Sequence, residues 1–298
     1  EAGSRLETIG EDAFLKCTSL TGITIPASVE TIGKYAFYDC TGLATVDFAS
    51  GINLKSIEQS VFQNCSSLTG IDIPASVESI KGNAFYGCSS LANIDIPASV
   101  TDITASAFIG CATSGSLTVH GDNLNFSAEN NVLYDKNKTA LLSYHLADTG
   151  APFEIPGTVT EISNYAFEFC INLKDINIPT TVAKFGEYAF RNCAELTYLE
   201  IPASITDIGD YAFGGCTDLR LKFLGSTAPT TLAPSFAGVW GNSIKQVLYP
   251  AAWSSADVAR LREELGTTFL GSVTPYGGSS SRPPTPTTEI QTDGGPVT

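Results

Sequence analysis

Eight cysteines and two histidines are the residues of this 298-residue chain best suited to do chemistry. A thiolate can attack a carbonyl, bind zinc or pair into a disulfide, and an imidazole can act as base or ligand. The spacing argues against each use. Cys17, Cys40, Cys65, Cys88, Cys111, Cys170, Cys193 and Cys216 each close a Phe-x-x-Cys tetrad opened by Phe14, Phe37, Phe62, Phe85, Phe108, Phe167, Phe190 and Phe213. No two cysteines form Cys-x-x-Cys, and His120 and His145 fall in the long stretch between Cys111 and Cys170. No nucleophile has a placed base, and neither His-Glu-x-x-His nor a Gly-rich phosphate loop occurs. The sequence therefore predicts no catalytic residue, no metal site and no cofactor, and a protein that is not an enzyme.

The tetrads must be positioned by a repeating element. Their usual spacing is 23 residues, with one gap of 25, where Ser50 to Asn53 add length, and one of 59. The fullest unit reads Leu68-x-x-Ile71-x-Ile73-Pro74-x-Ser76-Val77-x-x-Ile80-x-x-x-Ala84-Phe85-x-x-Cys88-x-x-Leu91. Alternation sends Ile71 and Ile73 to one face of a strand, and Pro74 ends it. Val77 to Phe85 suits a second short strand or a helical turn. Gly33, Gly186 and Gly209 mark the spot after the Ile, where a tight turn is expected. One unit cannot bury its own apolar face, whereas stacked units bury a continuous core. All eight thiols then share one repeat position. Parallel Cβ atoms about 4.8 Å apart exceed the usual disulfide spacing of roughly 3.5–4.5 Å, so free buried thiols are expected.

The motif Ile-Pro-x-Ser-Val-x-x-Ile-x-x-x-Ala-Phe-x-x-Cys-x-x-Leu resembles the BspA-like leucine-rich repeat of bacterial surface proteins. The resemblance covers Leu6 to Leu219, with departures at Phe48-Ala49 (for Ile-Pro), at Val61 (for Ala) and after Cys111. It implies a repeat solenoid, a right-handed leucine-rich-repeat coil with a strand ladder on one face. It also implies a secreted or surface-anchored protein of a host-associated bacterium, often concerned with adhesion to host matrix proteins or to other cells. Related repeats occur in some parasitic protists.

The expected organisation is repeats over 1–219, a capping region over 220–275 and a disordered Gly/Ser/Pro/Thr linker over 276–298. Within the repeats, 112–153 reads as a hairpin-type insertion. There Leu117-Thr118-Val119 suits a strand, and Val132-Leu133-Tyr134 and Ala140 to Tyr144 flank the turn Asp135-Lys136-Asn137-Lys138. It reads as a modified coil, with a binding loop as the alternative. Trp240 and Trp253 belong to the cap, where Ser254 to Asp257 read as a helix start, Val258, Leu261 and Leu265 as its apolar face and Gly266 as its stop. Glu1 opens the chain inside a repeat, without a signal peptide, as in a fragment that further repeats precede.

Acidic residues outnumber basic ones 31 to 16, a formal charge of −15. That excludes the basic stripe that nucleic acid needs and disfavours anionic lipid. No apolar run approaches the roughly 20 residues of a membrane span. The outward residues between the two strand apolars are Thr24, Asp47, Asp72, Asp95, Thr118, Glu154, Asn177 and Glu200, with Tyr198 close by. Asp47, Asp72 and Asp95 would stand in a self-repelling column, which suits a cationic ligand or calcium, or is screened by water and salt alone. Tyr35, Tyr165, Tyr188 and Tyr211, ahead of Ala-Phe, are expected to pack between coils. The expectation is a monomeric, extracellular or cell-surface binding module for a protein or matrix ligand, with a structural spacer or a glycan-binding module as the alternative.

Overall fold

The computed structural model describes residues 5–111, 115–144, 153–233, 236, 244–265 and 271–277. The chain winds as a β-solenoid, and each coil contributes two extended segments. The first ladder contains the strands Gly22–Ile25, Thr45–Phe48, Asn93–Ile96 and Ser116–Val119, then Phe153–Glu154, Ile176–Asn177, Tyr198–Ile201, Leu219–Phe223, Ile244–Pro250 and Ser272–Tyr276. Neighbours pair in parallel, as in Ile94↔Leu117 and Asp95↔Thr118. The coil with Asp72 joins by the single bridge Gly70↔Asn93. It follows the lengthened coil at Ser50 to Asn53.

The second segment is extended, not helical. Two-residue strands such as Ser56–Ile57, Ser79–Ile80 and Asp102–Ile103 pair in parallel, with each Ile buried or nearly so. Two left-handed residues in nearly every coil keep the following turn from becoming a helix. One precedes Ala-Phe or Val-Phe (Tyr35, Ser60, Asn83, Tyr165, Tyr188, Tyr211); the other precedes Cys (Asp39, Asn64, Gly87, Phe169, Asn192, Gly215). In one coil the first becomes the 3-10 turn Ala105–Phe108. Gly33, Gly186 and Gly209 have no positive φ. They are needed for close approach: a Cβ at Gly186 would lie 2.4 Å from the Asn164 nitrogen and 2.7 Å from the Ser163 carbonyl carbon.

Stacked phenylalanines form the spine. Phe14, Phe37, Phe62, Phe85 and Phe108 lie with centroids 5.0 to 5.7 Å apart and planes within 12°. Phe167, Phe190 and Phe213 repeat this at 5.0 and 5.6 Å. The first coil departs from the expected core: Cys17 is exposed and Phe14 only half-buried, because no described coil covers that side. The other seven cysteines are buried thiols outside any disulfide.

The insertion is a three-stranded antiparallel unit, Phe126–Glu129, Val132–Asp135 and Ala140–Tyr144. Its last strand joins the second ladder beside Glu161–Ile162. Tyr144 takes the phenylalanine's place. Its amide donates to the Ala166 carbonyl, its ring lies 4.9 Å from Phe167, and the Cys170 thiol is directed at its carbonyl. Val132–Asp135 is the wall between two core clusters: Leu133 faces the N-terminal one, Val132 and Tyr134 the C-terminal one. The first strand, with its left-handed Asn130-Asn131 turn, was not foreseen from sequence.

Coils continue past Leu219. Thr231–Leu232 extends the second ladder, Phe236 is fully buried, and the Phe213 amide donates to its carbonyl. The helix Ser255–Leu265 begins with reciprocal Ser254 and Asp257 bonds and buries Leu261 and Leu265. Trp253 is buried and donates to the Gly225 carbonyl at 2.8 Å. Tyr276, placed in the linker by sequence, ends the last strand. His145, Trp240, Gly266 and 278–298 lie outside the described residues.

Candidate binding face

Parallel pairing brings the outward residues of the first ladder into columns. Thr24 faces Asp47, Asp95 faces Thr118, Glu154 faces Asn177 and Glu200 faces Lys222. Two open clefts lie on this face. The N-terminal one, about 370 Å3, is lined by Asp72, Asp95, Pro97, Thr118, Val119 and His120, among others. The C-terminal one, about 340 Å3, takes in Glu154, Asp175, Asn177, Tyr198, Glu200 and Leu224. Six of the eight residues singled out from sequence thus line a cleft. Thr24 and Asp47 stand in the same column outside both.

The two halves differ in charge. In the N-terminal half Asp47, Asp72 and Asp95 are exposed, and Asp95 accepts a hydrogen bond from the Thr118 hydroxyl. In the C-terminal half the column includes a cation that sequence reasoning missed. Lys222 is almost fully buried, 3.2 Å from Glu200 Oε1, with its ammonium 5.2 Å from the centre of the Tyr276 ring. The Tyr198 hydroxyl donates to the same Glu200 oxygen at 2.8 Å. The available signal was Leu219-Arg220-Leu221-Lys222-Phe223, which alternates as a strand; a spacing of 22 instead of 23 from Glu200 hid it. Such a buried ammonium is tolerable because a carboxylate and an aromatic face replace its water.

Away from this face the polar groups serve the stack. Thiols of Cys40, Cys65, Cys88, Cys193 and Cys216 point 3.0 to 3.2 Å from the carbonyl of the phenylalanine one coil back. Burial pushes the thiols of Cys65, Cys88, Cys111 and Cys193 far above their ordinary range, so they stay protonated and unreactive. Tyr165, Tyr188 and Tyr211 stack at 5.0 and 5.1 Å. Arg191 lies over Tyr188 and pairs with Glu168 at 2.9 Å. Burial raises the Glu168 carboxyl against the downward pull of that guanidinium. Among the described residues no three His, Cys, Asp or Glu side chains converge as for a metal ion. No described helix is long and apolar enough to cross a membrane.

Comparison with known proteins places this geometry. The sequence profile of the BspA type leucine rich repeat region matches in six copies over residues 2–134 and 150–252. A leucine-rich repeat protein from Eubacterium ventriosum is 29% identical, with a TM-score of 0.73 over 92% of this chain and 71% of its own. A leucine rich cell surface protein from Faecalibacterium prausnitzii is 26% identical, with a TM-score of 0.56 over 92% and 84%. The pneumococcal vaccine antigen PcpA shares the fold at 19% identity and a TM-score of 0.57, over 93% of this chain and 73% of its own. No curated protein matches the chain.

Proposed function

The chain belongs to the BspA-type leucine-rich repeat family, and on that premise we propose that it is a non-catalytic binding module of a secreted or cell-surface protein, engaging a protein or extracellular-matrix ligand through the first-ladder face. The observation that carries this reading is the two clefts on the first-ladder side, where the outward residues Asp72, Asp95, Thr118, Glu154, Asn177 and Glu200 lie outside the core clusters. Solenoids commonly bind along such extended surfaces. The exposed Asp72 and Asp95, on coils joined by the Gly70↔Asn93 bridge, add a second support. Like charges about 4.8 Å apart in water repel by roughly 0.9 kcal/mol, so such a pair gives up stability that the fold could keep. The neighbour described as a cell surface protein agrees with an extracellular setting.

The test pairs affinity with stability. The protein is passed over immobilised extracellular-matrix extract, and captured ligand is quantified for the native chain and for Asp72→Asn with Asp95→Asn. The double substitution should weaken capture about tenfold and flatten its salt dependence, while the unfolding midpoint holds or rises. Unchanged capture with unchanged salt dependence would remove the face from the account.

A further inference from the structure

Resting on that reading of the face, we propose that the C-terminal cleft receives one arginine side chain presented by a polypeptide partner. The cleft is lined by the carboxylates of Glu154, Asp175 and Glu200 and by no lysine, arginine or histidine. Glu200 already meets Tyr198 and Lys222 at one oxygen. Glu154 is exposed and in register with Asn177, and the Asn177 strand lies against the strand that carries Glu200. The cleft also offers what a cation's apolar stem needs: the Tyr198 ring, Pro202 and Leu224, the last 42% exposed.

Charge and shape together select the occupant. A guanidinium is planar, weakly hydrated and able to stack on an aromatic ring while pairing with a carboxylate; an ammonium is compact and strongly hydrated. The N-terminal cleft has Asp72 and Asp95 but no tyrosine, phenylalanine or tryptophan among its lining residues, so it offers charge without a platform. The cleft is also closed to a run of basic residues. Arg220, exposed and in register with Tyr198, places one cation on the next strand, while Lys222 is buried against Glu200. Arg220 repels a second positive side chain and fixes where the first one ends. The partner is therefore a chain carrying an isolated arginine, not a polybasic tail.

The test is amide chemical-shift mapping on 15N-labelled protein titrated with N-acetylarginine amide, its citrulline counterpart, N-acetyllysine amide and a neutral disaccharide. Arginine should give saturable shifts centred on Glu154, Asn177 and Tyr198, with a dissociation constant on the order of 1 mM. Lysine should bind roughly fivefold more weakly, and citrulline should give no saturable shift. Glu154→Gln and Tyr198→Leu should each weaken arginine by about fivefold with an unchanged circular dichroism spectrum. The assignment is overturned if citrulline matches arginine, if shifts centre on Asp72 and Asp95, or if only the disaccharide binds. Any of these alongside capture that still depends on Asp72 and Asp95 rejects the occupant alone. Capture indifferent to those aspartates rejects the face as well.

Discussion

At Cys88 one side chain fills core volume and gives a thiol hydrogen to the Phe62 carbonyl one coil back, at 3.0 Å. That double use explains the cysteine in the buried coils: an alanine would leave the carbonyl without its donor and a small void beside it. Two outcomes follow for the thiols. Native protein should react with Ellman's reagent at Cys17 alone and release the other seven only on unfolding, without reductant. Stability should also fall in alkali. Cys65, Cys88, Cys111 and Cys193 are raised in the folded chain above the ordinary 9.0, so above that pH the unfolded chain loses protons that the folded chain keeps. Each such thiol then costs about 1.4 kcal/mol per pH unit. A melting temperature nearly flat below about pH 8 and steeply falling above about pH 9.5 is the expected profile. A glycine pair probes coil approach. Gly186→Ala should destabilise by about 2 kcal/mol or more, whereas Gly10→Ala, with nothing within 4 Å of its new Cβ, should be neutral in urea unfolding.

At the scale of the coil, the phenylalanine spine carries the packing. Phe85→Ala, between two stacked rings, should cost about 3–5 kcal/mol, and Phe14→Ala, half-buried with one neighbour, well under half of that. Denaturant midpoints compare the two directly. Most of the coil was legible because its period is enforced by burial: Ile71, Ile73, Val77, Ile80, Phe85 and Leu91 all face the core, and the spacing says so. What escaped was set by tertiary contact. The left-handed positions are filled by Tyr, Ser, Asp, Asn, Lys and Phe far more often than by Gly, so no residue type announces them; coil closure decides the sign of φ. Tyr144 was legible in principle, since it stands 23 residues before Phe167. The missing cysteine after it hid the rung. Tyr144→Phe should leave stability nearly unchanged, while Tyr144→Asp should destabilise the C-terminal half by about 2–3 kcal/mol, seen as faster amide exchange at Phe167 and Cys170.

For the whole molecule, each coil touches mainly its neighbours, and the two core clusters meet at one strand, Val132–Asp135. A linear stack of this kind lays its surface out by repetition: whatever stands between the two strand apolars appears again one coil on. The column from Thr24 to Glu200 was readable for that reason. Lys222 was not, because the shortened coil before it breaks the count and Tyr276 comes from a strand far along the chain. The central claim is that this repeated face does the binding. Carboxyl footprinting of the protein bound to its captured matrix ligand tests it most directly. Asp72, Asp95 and Glu154 should be protected on binding, while Glu30, Glu58 and Glu187, on other sides of the coil, keep their labelling rates. Protection of the latter set with none at Asp72, Asp95 and Glu154 would contradict the account.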